Sequence, residues 1–129
     1  MSLDEARDSA FSRYFEEGFK ALTPDEQLLV VILGLEAEVN NGGFHQYYFN
    51  SYGDFACRVS SMLREIGANH VAQIVDEANA VFGSVGPSGN RDERQKALEA
   101  LDDDSWDSLD EKFCACPDNV TELLRKHLG

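Results

Sequence analysis

Between Asn40 and Ser51 the chain reads Asn-Asn-Gly-Gly-Phe-His-Gln-Tyr-Tyr-Phe-Asn-Ser, a pair of glycines opening onto packed aromatics interleaved with amides. Gly42 and Gly43 tolerate positive φ, so the chain can turn sharply there and bring the aromatics back against the helix that precedes them. With a helix restarting at Phe44, the side chains of Phe44, Tyr47 and Tyr48 share one face. Gln46 and Asn50 fall on another, where they are offered sideways to neighbouring backbone. The segment has two readings. In one, Gln46 and Asn50 bind a ligand beside stacked rings, and Phe44, His45, Gln46, Tyr48 and Asn50 wall a pocket. In the other, which the composition favours, Phe44, Tyr47, Tyr48 and Phe49 fill a core while Gln46, Asn50 and Asp54 satisfy helix ends and loop amides.

Elsewhere the apolar spacing is helical, without the period-2 alternation of strands, and it predicts one all-α domain over residues 1–129 with seven or eight short helices. Phe11, Tyr14, Phe15 and Phe19 make the stripe of a first helix. Thr23-Pro24-Asp25-Glu26 is a capping box with proline at the first helical position, opening a helix to about Val39. Leu28, Leu29, Val31, Ile32, Leu33 and Leu35 wrap that helix nearly all round, which makes it the buried centre. Phe55 to Ile66 and Val71 to Phe82 form two further helices, stopped at Gly67 and Gly83. Asn90 is a plausible N-cap for a helix over Arg91 to Leu101. Asp104 is read as the cap of a helix carrying Trp106, Leu109 and Phe113, and Pro117 as the start of a last one with Val120, Leu123 and Leu124. The Gly83–Asn90 loop lacks the preceding strand and the Gly-Lys-Ser/Thr ending of a phosphate cradle.

The run Asn41-Gly42-Gly43-Phe44-His45-Gln46-Tyr47-Tyr48-Phe49-Asn50-Ser51, with Gly53-Asp54, Ile66-Gly67-Ala68, Leu101-Asp102 and Leu109-Asp110, resembles the DNA mimic protein 19 family over about residues 25–113. The resemblance implies a helical fold, a homodimer, no enzymatic activity, and an acidic protein that binds a basic DNA-binding partner, such as a transcription regulator, in place of DNA. It is carried by residues that read as structural, namely Asn41, Gly42, Gly43, Phe44, Gln46, Tyr48, Phe49, Asn50, Ser51 and Gly53.

The charge pattern is independent of that resemblance. Twenty-four acids oppose 11 Lys and Arg, a net charge of −13. No Lys or Arg occurs from Ala21 to Cys57, and between Glu99 and Asp118 eight acids meet only Lys112, so these two stretches hold nearly all of the excess. Such a surface repels nucleic acid and membrane lipid and attracts basic partners. Run as one helix, Glu99, Asp103, Asp107 and Glu111 would stand about 6 Å apart along the axis, close to the spacing of neighbouring phosphates on a strand. A break at Asp104 would splay them over a curved surface. By charge alone they read as a solvated face. With the resemblance added, Glu99, Asp102, Asp103, Asp107, Asp110 and Glu111 become the expected partner-binding surface, with Glu36 and Glu38 as weaker candidates on a largely buried helix.

Three cysteines, Cys57, Cys114 and Cys116, and three histidines, His45, His70 and His127, form neither the i, i+4 His pair nor the Cys-x2-Cys pairs of zinc sites. No metal, cofactor or disulfide is expected. Carboxylates are abundant, but no pair of them marks an acid–base site. Met1-Ser2-Leu3-Asp4-Glu5 shows no basic-then-apolar leader, and Gln27 to Leu35 is too short for a membrane span of roughly 18 residues. A soluble cytoplasmic protein with reduced thiols is the expectation.

Overall fold

The helical periodicity is realised along the whole chain. A computed structural model describes residues 2–129, which form seven α-helices and two 3-10 helices, with no strand among the described residues. In order they are α1 (Leu3–Glu17), a 3-10 helix (Phe19–Ala21), α2 (Pro24–Phe49), a second 3-10 helix (Ser51–Phe55), α3 (Ala56–Glu65), α4 (Asn69–Ala80), α5 (Arg91–Glu99), α6 (Asp107–Ala115) and α7 (Val120–Leu128). No helix among the described residues is long and apolar enough to cross a membrane.

The start of α2 follows from its capping box. Thr23 Oγ1 accepts the Glu26 N–H at 3.2 Å, and Glu26 Oε1 accepts the Thr23 N–H at 2.9 Å. Two orphan donors of the first turn are thereby satisfied, at a gain of about 1 kcal/mol. Leu28, Leu29, Val30, Val31, Ile32 and Leu35 are all buried, because α1, α3, α5 and α6 pack around α2 on different sides. Each such side chain contributes roughly 1.5–3 kcal/mol on burial, so α2 is the energetic centre of the domain.

The expected reversal after Val39 is formed at the two glycines. The helical path continues to Phe49 and is broken only by Gly42 (φ −153°, ψ 19°) and Gly43 (φ 75°, ψ −176°). The left-handed requirement falls on Gly43 alone. The break turns the aromatic half of α2 back toward the first half: Gln46 and Asn50 reach Glu38 at 2.8 and 2.9 Å and the Tyr52 ring lies against Gly34, whereas an unbroken helix would hold residues 38 and 50 about 18 Å apart.

Several boundaries also differ. Phe11 and Tyr14 are half-buried, but Phe15 is 71 % exposed and Phe19 lies in the 3-10 helix beyond Gly18, so the aromatic stripe of α1 is narrower than its spacing suggested. Ile66-Gly67-Ala68 closes α3 as a Schellman motif: Gly67 has φ 88°, its N–H reaches Arg64 O, and the Ala68 N–H reaches Leu63 O. Asn90 caps α5 as expected, accepting the Glu93 N–H at 3.0 Å. Asp104 does not cap α6. Its carbonyl accepts the Asp107 N–H, its side chain stays in solvent, and the residue before α6 is Trp106. Nor does Pro117 open α7, which begins three residues later behind Asn119, whose Oδ1 accepts the Glu122 N–H.

Candidate partner-binding face and its support

The kink in α2 aims Phe44, Tyr47 and Tyr48 into the core, where each is 0 % exposed. Phe44 meets Phe113 edge-on at 5.7 Å, and Tyr48 packs between Phe82 at 4.8 Å and Trp106 at 5.1 Å. The Tyr48 hydroxyl donates to Asn79 Oδ1 at 2.6 Å, and Asn79 Nδ2 in turn donates to Ala56 O at 2.9 Å. Burial raises the pKa of both tyrosines far above the ordinary phenol range, so they are neutral. The Tyr47 hydroxyl is buried without a hydrogen-bond partner. Phe49 departs from the expected core set. It is 46 % exposed, with the Arg91 guanidinium 5.9 Å from its ring centroid.

The motif amides do not serve helix ends or loop backbone as expected. Gln46 Nε2 and Asn50 Nδ2 both donate to Glu38 Oε2, at 2.8 and 2.9 Å, and Asn41 Nδ2 donates to Gln46 Oε1 at 3.3 Å. They stitch the aromatic half of α2 to the half before the kink through the Glu38 carboxylate. Ser51 is exposed at the start of the second 3-10 helix. Gly53 is buried there, and no side chain fits, since a Cβ would lie 2.7 Å from Tyr47 O and 2.8 Å from Arg94 Nε.

Arg94 is the residue that sequence reasoning missed. It is 0 % exposed, and its guanidinium donates to the carbonyls of Tyr48, Asn50 and Ser88 while pairing with Asp54 Oδ1 at 2.9 Å. One buried cation thus ties together the end of α2, the following 3-10 helix and the loop before α5. Its spacing carried a signal, since Arg94, Ala97, Leu98 and Leu101 recur at i, i+3, i+4 and i+7 and place the arginine on the apolar face of α5. Asp54, expected at a helix end, is this cation's partner.

The acids of the 99–118 stretch separate into two sets. Asp110 Oδ1 accepts the Phe44 N–H at 2.8 Å, capping the half-helix that restarts after Gly43. Burial raises the pKa of this carboxyl, the Phe44 N–H lowers it, and Asp107 nearby raises it, for a net upward shift. Asp118 accepts the His70 and Val71 N–H groups at the start of α4 and lies 3.0 Å from His70 Nδ1. Burial pulls that carboxyl up, but these hydrogen bonds outweigh it and hold the group below the ordinary carboxylate range.

The second set is Glu99, Asp102, Asp103, Asp104, Asp107 and Glu111, all exposed, and none of the six makes an ion pair among the described residues. The straight helical line through them is not formed. Glu99 ends α5, Asp107 and Glu111 lie on α6, and Asp102, Asp103 and Asp104 occupy the turn between, where Ser105 Oγ and N donate to Asp102 O. Consecutive aspartates compete with helix for their own backbone, so the break falls there. The turn is anchored by Trp106, buried with Nε1 donating to Ala78 O at 3.0 Å. Glu36 and Glu38 stand apart from this set. Both are half-buried, burial raises the Glu36 pKa, and Glu38 is bound by Gln46 and Asn50.

The pocket alternative loses its walls in this arrangement, because Phe44 and Tyr48 expose no surface and Gln46 and Asn50 are engaged with Glu38. A cavity of about 410 Å³ lies elsewhere, among Leu3, Ala6, Leu29, Arg125 and Leu128. No group of three His, Cys, Asp or Glu side chains among the described residues is placed to hold a metal ion.

The fold is a helical domain with six exposed carboxylates, free of ion pairs among the described residues, carried on the turn between α5 and α6 and on the adjoining ends of those helices. The chain belongs to the DNA mimic protein 19 family: the family described as DMP19-like protein matches residues 20–128, which begins within the first 3-10 helix, runs to the end of α7 and leaves α1 outside. Comparison with curated proteins and with solved structures gave no match.

Proposed function

We propose that this chain presents the exposed carboxylates of the α5–α6 region in place of DNA phosphates to a basic DNA-binding protein, such as a transcription regulator, and so keeps it off its DNA. The observation that carries the reading is the unpaired state of Glu99, Asp102, Asp103, Asp104, Asp107 and Glu111. An acid already neutralised by a neighbouring Lys or Arg has little field left for a partner, whereas these six retain theirs. Their mounting supports the same reading. Buried Trp106 and the Asp110–Phe44 bond fix the turn and the first turn of α6, so a partner need not pay to order the surface. Asp110 sits at the border of this face as its anchor, and Glu36 and Glu38 lie outside it.

On this reading the protein is not an enzyme, works in the cytoplasm beside its DNA-binding partner, and acts as a homodimer. The immobilised chain is expected to retain a DNA-binding protein from lysate at low salt, and to release it when salt is raised or when duplex DNA is added, since ion pairing dominates both contacts. Retained protein that duplex DNA fails to release would contradict the proposal.

A further inference from the structure

Asn41 is followed by Gly42, the single Asn-Gly pair in the chain, and the pair sits where α2 breaks. Asn41 and Gly42 are both exposed. Asn41 keeps helical dihedrals, and the helix breaks directly after it, where Gly42 and Gly43 both leave helical geometry and the Phe44 N–H is turned to Asp110 Oδ1. The Asn41 side chain is held by one long bond, from Nδ2 to Gln46 Oε1 at 3.3 Å. Four other asparagines are pinned harder. Asn50, which precedes Ser51, donates to Glu38 and accepts from Arg91; Asn79 is bound at both ends of its amide; Asn90 and Asn119 cap α5 and α7.

We propose that Asn41 is a site of spontaneous covalent modification, converting to aspartate and isoaspartate at the kink of α2. The Gly42 backbone nitrogen, losing its proton, attacks Asn41 Cγ, and the Nδ2 nitrogen leaves as ammonia, closing a succinimide ring. Water then opens the ring at either carbonyl. Asparagine and water are consumed and one ammonia is released, with no redox change. Glycine at the next position favours this attack because no Cβ crowds the approaching nitrogen. A regular helix would hold that nitrogen away from the side chain, whereas a helix broken at Gly42 opens locally with little loss.

The product alters the two contacts that define the kink. A carboxylate at position 41 can no longer donate to Gln46 Oε1, and it adds a negative charge beside the Glu38 network. Isoaspartate also inserts a backbone carbon two residues before Gly43, where a Cβ would already come within 2.5 Å of Asp110 Oδ2. The conversion therefore bears on the Phe44–Asp110 bond at the border of the acidic face.

The test is to age the folded full-length chain and a urea-unfolded sample in mildly alkaline buffer at the same temperature. Peptide mapping would follow the mass gain of about one dalton per conversion, and isoaspartyl methyltransferase labelling would identify the isomer. The proposal predicts that the Asn41 peptide converts in the folded chain within about tenfold of its unfolded rate, while the Asn50 peptide lags well behind its own. Asn41→Gln should keep the fold and remove the early mass change and labelling. A folded Asn41 slowed by much more than tenfold, or one no faster than Asn50, would overturn it.

Discussion

Replacing Gly43 by alanine should be among the most damaging single-methyl additions in this chain, and more damaging than replacing Gly42. Gly43 has φ 75° and ψ −176°, a region nearly closed to side-chain-bearing residues, so the backbone alone costs about 1–3 kcal/mol. The added Cβ would stand 2.5 Å from Asp110 Oδ2. The carboxylate must swing away and the Phe44 N–H then loses a charge-assisted bond of 2.8 Å, a further loss of about 1–2 kcal/mol at this partly exposed site. Together these take roughly 2–5 kcal/mol from a total stability on the order of 5–15 kcal/mol, a fall in Tm of roughly 8–20 °C for a domain of this size. Gly42 has φ −153°, open to alanine, but its Cβ would stand 2.0 Å from Gln46 Oε1 and 2.9 Å from Gln46 Cβ, so Gln46 must give up its bonds to Glu38 and Asn41. Gly42→Ala should cost about 1–2 kcal/mol, through lost hydrogen bonds and not through backbone strain. Urea denaturation monitored by circular dichroism measures both. A double-mutant cycle with Asp110→Asn isolates the shared term, since Asp110→Asn should cost clearly less in the Gly43→Ala background than in wild type. Equal stability of the two alanine variants, or additivity in the cycle, would refute the reasoning.

Further outcomes follow from the buried polar groups. Arg94→Met should destabilise by about 3–5 kcal/mol in urea denaturation, because three backbone carbonyls and Asp54 lose their donor together. Tyr47→Phe removes a hydroxyl without a partner and should be neutral or slightly stabilising, whereas Tyr48→Phe strands Asn79 Oδ1 and should cost about 1–2 kcal/mol. Asp118 has a folded pKa below its unfolded value, so the stability it contributes is present above the unfolded carboxylate range and is lost as pH falls through the lowered pKa. Melting curves of wild type and Asp118→Asn should therefore differ at neutral pH and converge in strong acid.

The sequence was most readable where structure is decided locally. Thr23 and Glu26 meet across a single turn, Asn90 lies three residues from the amide it accepts, and Gly67 closes α3 through bonds among its neighbours, so their chemistry announces them. It was least readable where several local choices are nearly equal or where the partner is remote. Asp102, Asp103 and Asp104 all offer caps, and burial of Trp106, not capping strength, decides where α6 begins. Asp110 looked like one more surface acid because the amide it binds is 66 residues away. Gln46 and Asn50 read as structural, yet their acceptor, Glu38, reads as a surface acid, since nothing in the spacing says that the kink brings them together. Arg94 was overlooked because a charge on an amphipathic helix is normally solvated, although its place on the apolar face pointed inward.

The central claim is that unpaired carboxylates around the α5–α6 turn stand in for phosphates. The direct measurement is displacement of labelled duplex DNA from the isolated partner protein, followed by fluorescence anisotropy at low and high salt. Wild type should displace the DNA at low salt and lose this ability steeply as salt rises, while a variant with Glu99→Gln, Asp103→Asn, Asp107→Asn and Glu111→Gln should keep its helix content and fail to displace it. Displacement by the quadruple variant as effective as by wild type would contradict the account.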